Sequence, residues 1–362
     1  MSKREVAAKI LDNPLVRGLW RVATPLRNGL RILAYHRIFD STDSEFPFDE
    51  AVISACTEAF YQQMKFVQRN FEVISFADLD ECERKGRPFP RRGLIITFDD
   101  GYRDNYTHAY PILKQLNLPA TIFLVTGHIG SAKLFWWDMV SYCIKHTPLK
   151  EKIFHDISHQ KMRLIDSRDK AFIIQLILGW IKHVPDDVSR RFVEKLPAEL
   201  EVDLSNEVGQ GVCLAWEEVR EMAANRIEFG SHTVTHPILA NVSEERLNWE
   251  ISESKKTIEQ QVGKEALVMA YPVGRKTKFS KLAQEAAAHH GFRFAVSYEE
   301  GVVLQKNYNR YAMPRVHVET EYTRNLFRAN LMFPNLMLSG SQWPHLALEF
   351  TENFHLSSKE LA

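Results

Sequence analysis

The sequence has few cysteines, no long apolar run and no excess charge of either sign, and each absence excludes a class of protein. The four cysteines among 362 residues include no C-x-x-C pair, so neither a disulfide framework nor a thiolate zinc site is predicted. The longest apolar run, 171–181, is too short to span a bilayer and is interpreted as a buried helix. Lys plus Arg and Asp plus Glu number 46 each, so the net charge does not favour binding to nucleic acid.

The amino terminus lacks the uninterrupted apolar stretch of a signal peptide, which predicts a cytoplasmic protein. Residues 1–30 are nevertheless basic, and their apolar residues are spaced so that a helix would have one apolar face. Such a helix can lie on an anionic membrane surface, or it can pack on the outside of the folded domain. The first alternative would place the protein at the inner face of the membrane as a peripheral partner.

From residue 31 onward, strand-like runs alternate with helical runs. Strands are predicted at 31–36, 94–98, 120–125, 226–232, 267–272, 294–297 and 315–318. Helices are predicted at 57–70, 102–117, 216–225, 243–262 and 278–291. This alternation predicts an α/β protein with a parallel sheet or barrel.

The alternation of strands and helices is interrupted once, and this interruption defines the expected domain organisation. Residues 131–212 contain about three helical stretches and are interpreted as a helical insertion in the barrel. The expected units are therefore a basic segment at 1–30, a barrel with its insertion at 31–320, and an apolar carboxyl-terminal tail at 321–362.

Three predicted strands end in residues that suggest chemistry. The first ends in Asp99 and Asp100, the second ends in His232 and His236, and the third ends in the segment 270–274, AYPVG. Ligands bind at the carboxyl ends of strands in parallel α/β folds. Two histidines and one carboxylate form a metal-binding set that leaves a position open for water. Zn²⁺ is the favoured ion, and Co²⁺, Mn²⁺ and Ni²⁺ suit the same ligands.

The adjacent aspartates have a chemical explanation in such a site. One can bind the metal while its neighbour takes a proton from the coordinated water, whose pKa the metal lowers to about 7. Such a site attacks a carbonyl carbon, which predicts an amide or ester hydrolase. Taken alone, Asp-Asp-Gly is as typical of a simple turn as of a functional site. Taken alone, His232 is more typical of a hydrogen-bonded core histidine than of a metal ligand. The combination at strand ends favours the metal site.

The segments TFDDGY, GSHTVTHPIL, AYPVG and LAYHRI together resemble the polysaccharide deacetylase family, carbohydrate esterase family four. The resemblance covers roughly residues 31–140 and 213–318. It implies a distorted (β/α) barrel with about seven parallel strands. It also implies a metal-dependent enzyme that removes N-acetyl, or sometimes O-acetyl or N-formyl, groups from sugars.

The resemblance also implies roles for individual residues. Asp99 corresponds to the catalytic base, and the metal ligands correspond to Asp100, His232 and His236. The poly-N-acetylglucosamine deacetylases carry their catalytic acid in an amino-terminal YH segment, which LAYHRI resembles. His36 is therefore favoured as the acid that protonates the leaving amine, with His317 in PRVHV as its competitor.

One motif departs from the family pattern. The family has an arginine shortly before Pro-Tyr that pairs with the base, whereas Met269 and Ala270 precede Tyr271 and Pro272 here. Arg315 is the candidate to supply that cation from another strand. Tyr271 and Pro272 are expected to shape the pocket, where the backbone can help to hold an oxyanion.

Two further aromatic residues, Tyr102 and Trp136, are assigned to the substrate pocket. Within FWWD, residues 135–138, one tryptophan is expected in the core and the other is left open as a platform for a sugar ring.

These observations predict a metal-dependent hydrolase that removes N-acetyl groups from an amino-sugar glycan or a lipid-linked glycan precursor. Two alternatives stay open. One is a deformylase or another amide hydrolase acting on a lipid-linked sugar or a small amide. The other is a non-catalytic carbohydrate-binding barrel, although this would be expected to have lost Asp99 or a metal ligand.

Overall fold

A computed structural model of the protein describes residues 3–16, 18, 29–40, 46–205, 207–306 and 308–337. Seven parallel strands close into a barrel in which each strand pairs with the next along the chain and the last pairs with the first. The strands are β1 (Gly29–Tyr35), β2 (Gly93–Phe98), β3 (Ala120–Leu124), β4 (Ile227–Ser231), β5 (Val268–Ala270), β6 (Phe294–Glu300) and β7 (Met313–His317). The predicted distorted (β/α) barrel is therefore confirmed.

Helices surround the barrel and form the insertion. They are α1 (Lys3–Leu11), α2 (Thr57–Asn70), α3 (Phe76–Arg84), α4 (Tyr110–Leu116), α5 (Trp136–His146), α6 (Ser167–Ile181), α7 (Asp186–Glu199), α8 (Trp216–Ala223), α9 (Glu244–Val262), α10 (Lys281–His289), α11 (Arg324–Met332) and α12 (Pro334–Met337). None of the helices in the described ranges has the length and apolar character needed to cross a bilayer.

The barrel interior changes from apolar to polar along its axis. Alternate residues of a strand face the same side, so the interior positions of each strand can be followed in steps of two. An apolar cluster combines interior strand residues with Phe76 and Leu79 of α3; its strand members include Leu30, Ile32, Ile95, Phe123, Phe294 and Met313. Further along β7, Arg315 lies two residues after Met313 and is also fully buried. The apolar cluster therefore fills the barrel toward the amino ends of the strands, and the polar site lies at their carboxyl ends.

The insertion consists of α5, α6 and α7 together with a short antiparallel hairpin, Glu151–Ile153 paired with Lys161–Arg163. Helix α5 packs against both α6 and α7. The three helices agree with the sequence analysis, but the hairpin was not predicted, because its strands are short and largely charged.

The helix predicted at 102–117 forms over most of that range, but its first part is a π-helix. The π-helix spans Asn105–Ala109, and α4 continues directly from it at Tyr110. The Asp104 carboxylate accepts hydrogen bonds from the Arg37 side chain and from the Ile38 backbone. These bonds fix Asp104 against the segment that follows β1.

The amino-terminal helix packs on the outside of the barrel. Ala8 of α1 is buried against α11, and Asp12 forms an ion pair with Arg328 at 3.0 Å. The Arg31 side chain, near the start of β1, donates to the Leu331 carbonyl of α11. Helix α1 therefore packs along α11 on the outside of the barrel. Residues 17, 19–28 and 338–362, which include much of the basic segment and of the tail, lie outside the described residues.

Candidate active site

Asp100, His232 and His236 converge at the carboxyl ends of β2 and β4. The Nε2 atoms of His232 and His236 lie 3.5 Å and 3.6 Å from Oδ1 of Asp100. All three side chains are buried, and one potential ligand atom from each lies within 4.8 Å of the others. The structure thus brings together the three residues to which the resemblance assigned the metal.

The three side chains fit a divalent ion. Nδ1 of His232 lies 2.8 Å from the Ala270 carbonyl, which can only accept, so Nδ1 donates and Nε2 keeps its lone pair toward Asp100. The separations from Asp100 are long for direct hydrogen bonds. Two ligand atoms about 2.0–2.1 Å from an ion at a tetrahedral angle are roughly 3.4 Å apart. The observed spacing is therefore suited to zinc or a similar ion.

His236 is held by an aromatic contact. Its Nδ1 atom is buried and has no hydrogen-bond partner among the described residues. The ring instead packs edge to face against Trp137, with ring centroids 4.5 Å apart. Trp137 is fixed in turn, because its Nε1 donates to the Tyr102 hydroxyl, which donates to the carboxylate of Asp138. The first turn of α5 thus forms a wall of the site.

The backbone that carries these residues is strained. Asp100, Thr233 and His236 have φ angles of 74°, 69° and 59°, in the left-handed region that β-branched residues such as Thr233 strongly disfavour. The buried carboxylate of Glu250 on α9 accepts hydrogen bonds from the backbone N–H groups of Val234 and Thr235. These bonds offset part of the strain and fix the turn between the two histidines.

A close backbone approach also holds this turn. Gly127, which follows β3, donates its N–H to the Val234 carbonyl at 2.8 Å. A Cβ atom at position 127 would lie only 2.6 Å from that oxygen, so any other residue would push the turn away. Glycine is required here for space.

Asp99 forms a bidentate ion pair with Arg315. Nη1 and Nη2 of the guanidinium each lie 2.7 Å from one carboxylate oxygen, and Nε of Arg315 donates to the Ser297 carbonyl on β6. Arg315 thus lies where the sequence analysis placed a substitute for the missing arginine. Both side chains are almost fully buried, so the ion pair lies in a region of low dielectric constant.

The two adjacent aspartates differ in their electrostatics. Burial on its own would raise the pKa of Asp99, but Arg315, helped by His232 and His36, holds this pKa below its usual range. Burial, followed by repulsion from Asp99 and Asp138, raises the pKa of Asp100 well above its usual range. A cation between Asp100 and the histidines would offset this cost of ionisation.

His36 and His317 have different surroundings. Nε2 of His36 lies 3.8 Å from Oδ2 of Asp99, and the side chain is 21% exposed. Burial lowers the pKa of His36 to about 4, so the imidazole is uncharged at neutral pH before it receives a proton. His317 is buried and stacks on Tyr298 with centroids 3.7 Å apart. The structure therefore places His36 beside both Asp99 and solvent.

Of the two aromatic residues assigned to the pocket, one lines a cavity and the other does not. Trp136 lines a cavity that also reaches His236. Tyr102 is fully buried beneath the site, where its hydroxyl joins Trp137 to Asp138, so it supports the site and does not line the cavity.

Tyr271, expected to shape the pocket, is engaged with neighbouring protein groups. Its ring stacks on Phe279, its hydroxyl donates to the Tyr311 carbonyl, and its N–H already donates to Val296. In this conformation the Tyr271 N–H is not available to an oxyanion. Pro272 follows it in the chain, and neither residue lines the cavity beside His236.

Sequence reasoning did not identify Trp137 or Glu250 as residues of the site. The FWWD segment indicated one buried tryptophan, but only the rotational position of α5 decides that it is Trp137. Glu250 lies in α9 among several similar glutamates. Its complete burial is the signal, and it appears only in the folded structure.

The fold and the site define the protein as a (β/α) barrel with an Asp-His-His set suited to a divalent ion. The profile of the family described as "Polysaccharide deacetylase" matches residues 86–295, which is more than half of the chain. The chain belongs to the polysaccharide deacetylase family. Membership supports a hydrolase that acts on amide bonds.

Curated relatives agree with this assignment. YxkH of Bacillus subtilis, whose name places it provisionally among the polysaccharide deacetylases, is 23% identical over 83% of this chain and 75% of its own length. The poly-β-1,6-N-acetyl-D-glucosamine N-deacetylases of Escherichia coli K12 and Staphylococcus aureus MSSA476 are 32% and 35% identical. These two alignments span 26% and 24% of this chain, and only 13% and 30% of the respective enzymes.

Solved structures share the fold. The deacetylase PplD of Streptococcus pyogenes, determined in complex with acetate, superposes with a TM-score of 0.55 at 19% identity over 83% of this chain and 97% of that chain. A de-N-acetylase from Aggregatibacter actinomycetemcomitans gives a TM-score of 0.53 at 19% identity, over 84% of this chain and 99% of that chain. At these identities the similarity establishes the barrel alone.

Proposed function

We propose that the protein is a metal-dependent deacetylase that removes N-acetyl groups from an amino-sugar glycan. One observation carries the proposal: Asp99, ion-paired to Arg315, directly precedes Asp100, which faces His232 and His236. The proposed general base and one of the three proposed metal ligands are thus consecutive residues. A non-catalytic barrel has no need for this arrangement.

Each residue of the site has a role in amide hydrolysis. Asp100, His232 and His236 would hold the ion, which when bound acts as a Lewis acid and lowers the pKa of water. Asp99 accepts the proton of the water that attacks the acetyl carbon, and Arg315 keeps this carboxylate ionised and oriented. This proton passes from Asp99 to His36, whose Nε2 lies 3.8 Å from the carboxylate. His36 then delivers the proton to the amine as the C–N bond breaks, which leaves Asp99 ionised again. The products are acetate and a free amino sugar.

N-acetylglucosamine is the proposed sugar. The support comes from the relatives that act on poly-β-1,6-N-acetyl-D-glucosamine, although they share only 89 to 94 aligned residues with this chain. An N-formyl group would meet the same base and ligands, so the assay should include N-formyl substrates.

Peripheral contact with a membrane stays a prediction, together with the cytoplasmic location. Three apolar side chains of the amino-terminal segment are exposed: Val6, Ile10 and Leu15. Helix α1 packs along α11 on the outside of the barrel, so these three side chains are not covered by the folded domain. Sedimentation with anionic vesicles, with and without residues 1–30, would test the contact.

The function is tested by measuring acetate released from N-acetylglucosamine oligomers. Activity should disappear on chelation and return with Zn²⁺ or Co²⁺. Asp99→Asn should bind the metal like the wild type but lose about 10²–10⁴-fold in turnover, whereas Asp100→Asn should lose the metal. Undiminished acetate release by the chelated protein or by Asp99→Asn would overturn the proposal.

A further inference from the structure

A cavity of about 570 Å³ opens beside His236, between the barrel and the insertion. Its barrel side includes Pro237 and Ile238, which follow His236 in the chain. Its other side is formed by α5, by α7 and by four residues beyond α7: Leu204, Ser205, Val208 and Gly209. The cavity is within the size range of small-molecule sites, and it shares His236 with the proposed metal centre.

The walls of this cavity are rich in apolar side chains that are only partly buried. Seven of them converge there: Leu134, Trp136, Met139, Val184, Val193, Leu204 and Val208. Because water-exposed carbon is costly, apolar residues grouped around one cavity beside a catalytic centre indicate an apolar ligand.

The polar groups of the lining are mostly bonded to other protein groups. Arg246 forms an ion pair with the buried Glu250 and also donates to the Thr235 hydroxyl, which donates to Glu250. Arg190 pairs with Asp186.

Two further polar side chains of the lining are engaged in the same way. Asn241 and Ser189 donate to the backbone carbonyls of Val184 and Asp186. The remaining charged lining residues, Lys133 and Glu194, are exposed. Three buried polar atoms of lining residues have no hydrogen-bond partner among the described residues: Nδ1 of His128, Nδ1 of His236 and Nε of Arg246. These atoms can bind a few polar groups of a ligand, whereas the seven apolar side chains offer a sugar ring few hydrogen bonds.

We infer that this cavity binds a hydrocarbon chain of an amphiphilic substrate while the acylated amine lies against Asp99. The inference rests on the proposed function, because it places the reacting amide at the metal centre. Two kinds of molecule share this chemistry: an amino sugar with an alkyl or lipid chain at its anomeric position, and one with a longer N-acyl chain.

Binding can be measured without turnover. Isothermal titration of the metal-free full chain would compare methyl, butyl and octyl β-glycosides of N-acetylglucosamine, each below its micelle-forming concentration. A second series, N-acetyl-, N-butanoyl- and N-octanoylglucosamine, tests the N-acyl source. Affinity should rise by up to about fourfold per methylene in the series that matches the natural chain.

Substitutions in the cavity wall test whether the dependence of affinity on chain length arises in this cavity. Leu204→Asp places a charge in the wall and should abolish the dependence on chain length. Ile165→Asp is the matched control, because Ile165 is an exposed apolar residue of the insertion that does not line the cavity. Val184→Phe fills the cavity without adding a charge, so it should shift the preference to shorter chains even if Leu204→Asp fails to fold.

The outcomes separate this inference from the proposed function. Affinity that ignores chain length in both series but rises with the number of sugar rings would overturn the hydrocarbon cavity. Chain-dependent binding that Leu204→Asp removes would support the cavity even if no substrate released its acyl group. In that case the proposed deacetylase activity would fail and the cavity would stand.

Discussion

Arg315 and Asp99 are 216 residues apart in the chain, yet they form a two-pronged ion pair inside the barrel with both N–O distances at 2.7 Å. The guanidinium lies on β7, and the carboxylate directly follows β2. Both strands pair with β1, so barrel closure brings the two side chains together. The cation expected before Tyr271 is thus supplied by a different strand, and the base remains paired.

Arg315→Lys should keep the charge but lose the forked geometry. A lysine offers a point charge in place of two parallel donors, so Asp99 would no longer be held in one orientation. We expect turnover to fall with little change in KM. Arg315→Met should be more damaging, because it leaves a buried carboxylate unpaired at a cost of about 3–5 kcal/mol of unfolding free energy.

Acetate release and urea denaturation measure these two effects. A control for general loss of a surface charge is Arg191→Met, since Arg191 is an exposed residue of α7. Wild-type turnover and stability in Arg315→Met would show that the ion pair has no part in holding the base.

His36→Ala and His317→Ala distinguish the two candidate acids. His36 lies beside Asp99 and is partly open to solvent, whereas His317 is stacked under Tyr298. We expect His36→Ala to lower turnover of an N-acetyl sugar by about 10²–10⁴-fold and His317→Ala to lower it much less. Thermal melting of both variants controls for misfolding.

A leaving group that needs no proton sharpens this comparison. His36→Ala should hydrolyse p-nitrophenyl acetate at nearly the wild-type rate, because phenolate departs without protonation. If His36→Ala lost both activities equally, or if His317→Ala carried the larger loss on the amide, the acid would have to be reassigned.

The sequence predicted most of the barrel because its physical signals are local. Buried parallel strands such as β2 are continuous apolar runs, and α2 has the periodic pattern of an amphipathic helix. The hairpin at residues 151–163 escaped prediction because its short strands face solvent and carry charges. The residues that support the candidate metal ligands could not be predicted, because tertiary packing decides which side chains reach them. The contacts of Trp137 and Glu250 are examples.

Trp137→Leu should weaken metal binding. Without the indole, the ring of His236 would have no packing partner at that edge and no hydrogen bond on Nδ1 to hold it. Loss of outer support for a metal ligand typically costs about 10–100-fold in metal affinity. Trp137→Phe should retain more affinity, since it keeps an aromatic ring and removes only the donor to Tyr102.

Competition with a chromophoric zinc chelator measures this affinity directly. Trp136→Leu is the matched control, because the neighbouring indole lines the cavity without being the ring that packs on His236. Equal zinc affinity in Trp137→Leu and the wild type would show that Trp137 does not position His236.

Glu250→Ala should destabilise the turn that carries both histidines. The carboxylate accepts from the partly buried N–H groups of Val234 and Thr235 at 2.7 Å and 2.9 Å. A donor left unpaired inside a protein costs up to about 1–3 kcal/mol. The turn also contains Thr233 at a disfavoured positive φ, so its strain would no longer be offset. We therefore expect both a lower urea midpoint and weaker zinc binding.

Glu250→Gln separates hydrogen bonding from charge. Glutamine keeps one acceptor oxygen for the turn but loses the ion pair with Arg246, so its stability should fall between those of Glu250→Ala and the wild type. Glu245→Gln, at an exposed position of the same helix, controls for changes in helix charge. If Glu250→Ala bound zinc and unfolded like Glu245→Gln, the turn would have to be held by Gly127 and the strands alone, and Glu250 would lose its positioning role.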